Sequence, residues 1–344
     1  MSQLGLRLRY LVERATRLNT SNLIDFARQT QRISRAPLPV IIADMIWCSL
    51  RYEMGFRDYV VWDIRILTAR ERRTWMTHPK AFRLNETLND PEARGALRDK
   101  PGFYRQFADV VRREWIDVAD SPLSEVEDFL SRHEHVIAKP ARGEGGAGID
   151  VYEAADIADV ARWRTSLIEG DQTLVEEILV QDPTMAGLYP GSVNTIRMIT
   201  YLDPARELHL IASALRIGNG GVIDNFAGGG MFTMLDDAGV ALWPAVDKQS
   251  NVYAQHPVTH TPIVGFQVPR FAEAVAMVDD AARRIPRVPH VGWDVAITAD
   301  GPALIEANHN SSVFQMKPTV SGVRTGLLGR YRDAVGAGVL KRPR

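Results

Sequence analysis

The sequence predicts an α+β protein in which a mainly helical N-terminal region precedes a mixed body. Up to about residue 90, apolar and charged residues recur every three to four positions, which is typical of helices. From about residue 134, short runs rich in β-branched residues and bounded by Gly, Asp and Pro indicate strands. Two later runs, "ADIADVARWRTSLIE" and "FAEAVAMVDDAARRI", return to helical spacing, so the body combines both kinds of element.

In the N-terminal region, "LPVIIADMIWCSLRY" is long and apolar enough to predict a buried helix. "FRDYVVWDIRILTARERRTWM" continues in the same style. After a polar connection, Asp99 can cap a further helix, and Pro101 is tolerated in the first turn of that helix. The strand predictions that follow are "HVIAKP", "GIDVYEA", "TLVEEILV", "VNTIRMITYL" and "ELHLIASALRI".

The composition is that of an ordinary globular protein, with 45% apolar residues, 24% charged residues and a formal net charge of −1. Near-neutrality argues against nucleic acid as a partner, because binding to a phosphate backbone needs a concentrated basic surface. The one cysteine, Cys48, cannot form an intrachain disulfide, and it favours a reducing, cytoplasmic location. No apolar stretch approaches the roughly 18 residues of a membrane span, so we expect no transmembrane segment.

The first 36 residues are basic, with seven arginines against Glu13 and Asp25. One interpretation is a packed helix with a solvated basic face. The alternative is a basic amphipathic surface that docks on a membrane or on a partner.

The stretch "GWDVAITADGPALIEANHN" predicts a β-hairpin that carries three oxygen donors. Glu306 and Asn308 share one face, because side chains alternate along a strand. Asp294 joins them if the loop has an odd length, such as "ADG", whereas a two-residue turn would send Asp294 to the other face. We predict the odd loop and hence a hard-oxygen site suited to Mg2+ or Mn2+. The alternative is three solvated residues on an edge hairpin.

The segment "VIAKPARGEGGAGIDVYEA" contains Gly143, Gly145 and Gly148 in G-x-G-x-x-G spacing. A dinucleotide-binding loop would open a helix here, but "IDVYEA" alternates like a strand, and no G-K-[ST] follows. We interpret the segment as a flexible flap whose backbone N–H groups lie over nucleotide phosphates, with Lys139 supplying a positive charge. A plain hairpin loop with a surface lysine is the alternative.

The order "IAKP…GEGGAG", "LVEEIL", "NTIR", "ALRIG" and Asp294…Glu306-x-Asn308 resembles the ATP-grasp superfamily. The segments "ADMIWCSLRYEMGFRDYVVWDIRIL" and "LND…LRDKPGFYRQF" are similar to the sugar-transfer associated ATP-grasp subfamily, which is related to α-L-glutamate ligase-like proteins. This resemblance implies an ATP-grasp fold, in which two α+β lobes grip the nucleotide. The boundaries that it implies are a helical region at 1–98, an N-lobe with the glycine flap at 99–180 and a C-lobe with the metal site at 181–344.

The resemblance also implies roles for residues. It assigns Lys100 and Lys139 to the α and β phosphates of ATP, and Arg197 and Arg216 to the transferring phosphate or acyl group. For each arginine an inter-strand ion pair is the alternative. The other implied positions are the flap (Gly143, Gly145, Gly146), the adenine hinge (Glu176, Glu177, Ile178, Leu179), the substrate contacts (Asn194, Asn225, Gly229) and the ligands of Mg2+ or Mn2+ (Asp294, Glu306, Asn308). For "VIDNFAGGGMF", which contains Asn225 and Gly229, a tight turn is the alternative to a loop near the substrate.

The activity implied by the resemblance is that of an ATP-dependent carboxylate–amine ligase acting on small molecules, in polysaccharide or secondary-metabolite biosynthesis. A thiol acceptor, phosphotransfer to a stable product and a non-catalytic nucleotide-binding scaffold are the alternatives, and a homo-oligomer is left open. Two features depart from the better-known members. The N-terminus reads as helical rather than strand-rich, and Gln181 and Asp182 give no clean match to the acidic ribose contact.

Overall fold

The computed structural model describes residues 20–142, 148–220 and 229–340, with side chains from residue 23 onward. The chain divides into two compact units, Met1–Thr87 with Gln315–Arg344, and Leu88–Phe314. The α+β class predicted from the sequence is confirmed, because a helical N-terminal part is followed by antiparallel sheets and helices. The three boundaries drawn from the sequence at 1–98, 99–180 and 181–344 stay predictions.

The described part of the first unit consists of helices joined by turns and irregular segments, without strands. Its helices are α1 (Thr20–Thr30), α2 (Leu38–Tyr52), α3 (Phe56–Val61), α4 (Ala69–Arg72), α5 (His78–Leu88) and, near the C-terminus, α13 (Pro318–Ser321) and α14 (Leu328–Val335). At its centre the Asp44 carboxylate accepts hydrogen bonds from Tyr59 (2.6 Å), Arg65 (3.0 Å) and Arg72 (2.7 Å). These bonds tie α2 to the elements that follow it.

The prediction that "LPVIIADMIWCSLRY" forms a buried helix was half wrong. The helix exists as α2, and Ile41, Met45 and Cys48 on one face are completely buried. The opposite face is exposed and includes Trp47 at 56% exposure. Apolar residues occur on both sides of the helix, but neighbouring elements cover only one side of it, and sequence periodicity does not reveal which side is covered.

The second unit contains a four-stranded antiparallel sheet in the order β1-β4-β2-β3. The strands are β1 (Trp115–Asp117), β2 (His135–Lys139), β3 (Asp150–Glu153) and β4 (Leu174–Glu177). Helices α9 (Leu123–Arg132) and α10 (Val160–Glu169) contribute Val126, Phe129 and Leu167 to a core shared with Val136 and Val175 of the sheet. This sheet holds Lys139 and the first two predicted hinge positions, Glu176 and Glu177.

The same unit contains a seven-stranded antiparallel sheet in the order β11-β10-β5-β6-β7-β8-β9. Its strands are β5 (Thr195–Leu202), β6 (Leu208–Ile217), β7 (Met231–Leu235), β8 (Ala245–Asp247), β9 (Val252–Tyr253), β10 (His290–Thr298) and β11 (Gly301–Asn308). The other helices of the unit are α6 (Ala93–Ala96), α7 (Lys100–Gln106), α8 (Ala108–Val111), α11 (Pro183–Leu188) and α12 (Phe271–Arg284). Phe103 on α7 and Phe107 just after it share the main core with Val278 on α12 and Trp293 on β10. Helices α7 and α12 therefore belong to the same core as this sheet.

The β10–β11 hairpin has the predicted strands but not the predicted loop. Thr298 pairs with Gly301, which leaves a two-residue turn, so the expectation of an odd loop was wrong. A β-bulge restores the register, because Val295 pairs with Leu304 while Asp294 pairs with Glu306, and the extra residue falls in β11. Asp294 therefore lies opposite Glu306 through a bulge that the sequence did not reveal.

Among the described residues, no helix has both the length and the apolar character needed to cross a bilayer.

Candidate active site

One part of the site is a buried ionic cluster on the four-stranded sheet. Lys139 ends β2 and lies two residues along from Ile137, which pairs with Glu176 on β4, so the side chains of Lys139 and Glu176 share a face. The Lys139 Nζ donates to Glu176 Oε1 (2.5 Å) and to the Tyr104 hydroxyl (2.8 Å). Lys139 is thus held in place by two neighbours rather than standing as the surface lysine of the alternative interpretation.

Two members of this cluster, Tyr104 and Arg113, were missed by sequence reasoning. The Tyr104 hydroxyl and Arg113 Nε both donate to Glu176 Oε2, at 2.7 and 2.8 Å. Arg113 lies over the Tyr104 ring, 4.6 Å from its centroid, and its side chain is only 2% exposed. In the sequence Arg113 is one of two adjacent arginines before a short strand, a pattern without any specific signal.

Arg113 also reaches the β10–β11 hairpin. Its Nη1 donates to the Leu304 carbonyl (3.0 Å), and its Nη2 to the Ile305 carbonyl (3.4 Å), where the bulge of β11 lies. One guanidinium therefore joins the hinge acid Glu176 to the backbone just before Glu306.

The charges of the cluster stabilise one another against burial. Burial alone would raise the pKa of Glu176, but Arg113 and Lys139 lower the pKa of this carboxyl to about 2. Burial alone would lower the pKa of Lys139, and the Glu176 carboxylate instead raises it above its ordinary value. Both groups are charged near neutral pH, as a lysine that is to face phosphate must be.

The second part of the site lies on the large sheet, around Asp294. Arg197 on β5 pairs in register with Asp294 on β10, and Arg197 Nη2 donates to Asp294 Oδ2 (2.8 Å) while its Nε donates to Oδ1. Arg216 Nη1, from β6, donates to the same Oδ2 (2.9 Å). The inter-strand ion pair that was the alternative for both arginines is therefore present. The predicted contacts of these arginines with the transferred group stay predictions.

Glu306 and Asn308 complete the oxygen donors on this face. Asn308 Nδ2 donates to Glu306 Oε1 (2.9 Å), and Asp294 lies opposite Glu306. Burial, and then the Asp294 carboxylate, raise the pKa of Glu306 above its ordinary value. Two adjacent carboxylates repel each other in a buried site, and a cation between them would remove that repulsion.

The donor set fits a hard divalent cation. It consists of two carboxylates and one amide, the ligand chemistry that Mg2+ and Mn2+ prefer. A carboxylate offers about four acceptor sites, and the arginines take three of those on Asp294. Asp294 can therefore hold its arginines and still contribute to a metal site.

Lys100 connects the two parts. As the first residue of α7, it donates from Nζ to the Pro140 carbonyl (2.8 Å), just after β2. Burial, and then the charge of Lys139, lower its pKa, while Glu306 and Glu176 act in the opposite direction. Lys100 and Glu306 also line one cleft, whose other walls are Leu97, Arg98, Phe103, Ile305, Ala307, Asn308, His309 and Asn310.

The remaining hinge positions follow Glu176. The Glu177 carboxylate accepts from the backbone N–H of Glu114 (2.9 Å), and Leu179 is buried against Ala296 and Ala303. Ile178 is half-buried after the end of β4. The Glu176 carboxylate was predicted to accept from the adenine amino group, but both of its oxygens are engaged by Lys139, Tyr104 and Arg113. The adenine contacts of all four positions stay predictions.

The predicted substrate contacts fare differently. Asn194 is completely buried, and its Nδ2 donates to Gln181 Oε1 (2.9 Å) and to the carbonyls of Met185 (2.9 Å) and Tyr189 (2.8 Å). Its Oδ1 accepts from the Gly218 N–H (3.2 Å), so these bonds explain the residue structurally, and substrate contact stays a prediction.

Gly229 has a φ of +107° at the entry to β7, a conformation that favours glycine. Asn225 and the flap glycines Gly143, Gly145 and Gly146 lie outside the described residues.

Asp182 also has a structural explanation. Its side chain caps α11 by accepting from the Thr184 N–H (2.8 Å). Gln181 donates to the carbonyls of Tyr189 (3.0 Å) and Ser192 (2.8 Å). Gln181 and Asp182 therefore both have structural hydrogen bonds at the position where related proteins have an acidic ribose contact.

The family profile of the sugar-transfer associated ATP-grasp proteins matches residues 80–327 of this chain. The chain belongs to this family, and the ATP-grasp fold predicted from the sequence is confirmed. Among curated proteins, no sequence matches the chain.

Several solved ATP-grasp structures are similar to this chain. The ATP-grasp ligase PsnB, solved with a phosphomimetic variant of its minimal precursor, Mg and ADP, is 17% identical with a TM-score of 0.43, and the match covers 74% of this chain and 62% of PsnB. D-cycloserine synthetase DcsG is 16% identical with a TM-score of 0.40, covering 74% and 73% of the two chains. D-alanyl-alanine synthetase A from Vibrio cholerae is 12% identical with a TM-score of 0.42, covering 74% and 68%.

Proposed function

We propose that this protein is an ATP-dependent carboxylate–amine ligase that activates a small-molecule carboxylate as an acyl phosphate. The observation that carries the proposal is the position of Lys100. Its Nζ donates to the Pro140 carbonyl, next to Lys139 in the chain, and its side chain lines one cleft together with Glu306 and Asn308, two of the predicted metal ligands. Membership of an ATP-grasp family agrees with this activity.

Charge is the first problem that such a reaction poses. ATP and the substrate carboxylate are both anions, and phosphoryl transfer asks a protein mainly for positioning and charge neutralisation. In the proposed site Lys100 and Lys139 neutralise phosphate oxygens. Asp294, Glu306 and Asn308 would hold Mg2+ or Mn2+, which supplies further positive charge to the phosphates when bound.

In the proposed reaction a carboxylate oxygen attacks the γ-phosphorus of ATP. The bond from that phosphorus to the β–γ bridging oxygen breaks, so ADP leaves and an acyl phosphate forms. The amine nitrogen of the acceptor then attacks the carbonyl carbon, phosphate leaves, and the nitrogen loses a proton to give an amide. Arg197 and Arg216 neutralise charge on the transferred group, and the glycine flap excludes water from the acyl phosphate.

The biosynthetic setting follows from the family alone. Because the family is described as sugar-transfer associated, we infer that the product is an amide attached to a sugar-containing polymer or metabolite. The acceptor is then an amine on a small-molecule precursor of that polymer or metabolite.

The test is substrate-dependent formation of ADP from ATP and Mg2+ with pools of carboxylates and amines, followed by mass spectrometry of new products. Glu306→Ala should reduce turnover by about 10³-fold. Glu273→Ala is the matched control, because Glu273 is an exposed acid on α12 whose side chain is 59% exposed. Full turnover in folded Glu306→Ala protein would reject the assignment.

A second measurement separates the alternatives on the same fold. Hydroxylamine should trap the activated carboxylate as a hydroxamate when the amine is left out. Recovery of a stable phosphorylated product without a hydroxamate would instead identify a phosphotransferase. The absence of any nucleotide turnover with broad substrate pools would favour the non-catalytic scaffold.

A further inference from the structure

Helix α2 in the first unit presents an apolar face that the proposed ligase site does not use. Ile41, Met45 and Cys48 lie on its buried side. On the other side, Val40 is 47% exposed and Trp47 is 56% exposed. Ile46 (40% exposed) precedes Trp47, and Leu50 (45% exposed) lies about one turn after it. The four side chains form one stripe along the helix.

A stripe of this kind differs from ordinary surface composition. Single exposed apolar residues are normal, but contiguous exposed patches mark surfaces that bind a partner or a membrane. The stripe includes a tryptophan. Tryptophan is enriched at protein interfaces and at the boundary between membrane and water, because its ring system is apolar while its N–H is polar. Most residues of the helix are apolar, and one side of it is covered within the unit while Val40, Ile46, Trp47 and Leu50 on the other side are exposed.

The ends of this apolar stripe carry positive charge. Arg32 and Arg35 precede α2, Arg51 lies in its last turn, and all three are exposed. The nearest acids do not offset them, because Asp44 is bound by Arg65 and Arg72 inside the unit. Glu53, just after the helix, is ion-paired with Arg83.

We propose that the exposed face of α2 docks on an anionic membrane surface, with Val40, Ile46, Trp47 and Leu50 entering the interface and the flanking arginines contacting acidic headgroups. Apolar and aromatic side chains beside arginines are the pattern of interfacial helices. Charge selects this occupant over a second copy of the chain, since two basic rims would repel each other across a dimer interface. Besides Arg32 and Arg35, five further arginines lie within the first 36 residues of the sequence and have charge of the same sign. The inference is independent of the proposed ligase activity.

The experiment measures binding of the full chain to vesicles by sedimentation. One set contains equal parts of phosphatidylglycerol and phosphatidylcholine, and the other contains phosphatidylcholine alone. We expect binding to the anionic vesicles only, weakening as salt is raised. Trp47→Ser should weaken binding by about tenfold. Phe82→Ser should leave it unchanged, because Phe82 on α5 is equally exposed, at 56%, but lies outside the stripe.

Circular dichroism verifies that both variants remain folded, and Leu50→Ser repeats the test at a second position of the stripe. Three results would overturn the proposal. They are no binding of the full chain to anionic vesicles, binding that Trp47→Ser and Leu50→Ser leave unchanged, and light scattering that shows a dimer which Trp47→Ser dissociates. The last result would identify a second copy as the occupant.

Discussion

The two sheets of the second unit each bury one carboxylate between two cations, but they do so with different results. On the small sheet, Glu176 is bound by Lys139, Arg113 and the Tyr104 hydroxyl, so its charge is balanced within the protein. On the large sheet, Arg197 and Arg216 bind Asp294. There a second carboxylate, Glu306, lies directly opposite Asp294 on the neighbouring strand β11.

The difference lies in the extra acid. Glu176 has its pKa lowered to about 2, because the cations outweigh the cost of burial. Glu306 has its pKa raised, because burial and the neighbouring Asp294 both disfavour its charge. The first cluster is complete without a ligand and holds Lys139 in place. In the second, both arginines bind Asp294, and a cation between the two carboxylates would stabilise the charged form of Glu306.

The largest expected effect comes from Asp294→Asn, which leaves two buried arginines facing a neutral amide. We expect a loss of about 4 kcal/mol in the free energy of unfolding. Denaturant unfolding measures it, with Asp280→Asn on the exposed side of α12 as control, since the Asp280 side chain is 62% exposed. A variant as stable as the parent would show that the arginines do not depend on Asp294.

Acid should weaken the small-sheet cluster through Glu176. Its pKa is lowered on folding from 4.5 to about 2, so its contribution is complete above pH 4.5 and is lost as the pH falls towards 2. That contribution is about 3 kcal/mol. Glu176→Gln lacks it at every pH, and the stability gap between parent and variant should therefore close in acid. A gap that stays constant from pH 6 to pH 2.5 would contradict the balance of charges described here.

Arg113→Met should destabilise the same cluster by a similar amount, about 3 kcal/mol, because Glu176 loses one cation while Lys139 and Tyr104 continue to bind it. It also removes the bonds to the Leu304 and Ile305 carbonyls, so activity should fall even at temperatures where the variant is folded. Arg112→Met is the neighbouring control, since Arg112 is exposed and its Nη1 donates to the Asp300 carbonyl (3.1 Å). Equal losses of stability in both variants would show that burial of Arg113 is unimportant.

The smallest effect is expected for Lys100→Met. Within the part of the chain that the structure describes, the Lys100 side chain makes one hydrogen bond, to the Pro140 carbonyl, and the methionine keeps most of the apolar stem of the lysine. If Lys100 contacts phosphate, the KM for ATP should rise about tenfold, about 1.4 kcal/mol, while the melting temperature stays nearly unchanged. Steady-state kinetics measures the KM for ATP, and calorimetry measures the melting temperature. An unchanged KM would show that Lys100 does not contact the nucleotide.

How much could be read from the sequence depended on the distance over which each signal acts. Strand alternation placed Glu306 and Asn308 on one face, and the structure joins them by a hydrogen bond. The position of Asp294 depended on the loop. The predicted pairing of Asp294 with Glu306 is observed, but the predicted odd loop is not, because a two-residue turn and a β-bulge produce the pairing instead. Turn length and bulges compensate for each other, and no local residue pattern distinguished them.

Arg113 shows the limit more sharply. It is 63 positions from Glu176 in the chain and 191 from Leu304, and it binds both. Nothing near Arg113 in the sequence marks it, because its role arises from a fold that brings three separate segments together. The exposed half of α2 is a similar case, since its sequence predicts only an apolar helix.

By itself the sequence determined the α+β class, the family and the oxygen donors of the hairpin, because these follow from local periodicity and from the order of motifs along one chain. Only the tertiary structure decided which cation neutralises which buried acid, how β11 aligns Glu306 with Asp294, and which face of α2 stays uncovered. These features depend on contacts between residues far apart in the chain, and burial turns such contacts into large energies that local sequence does not encode.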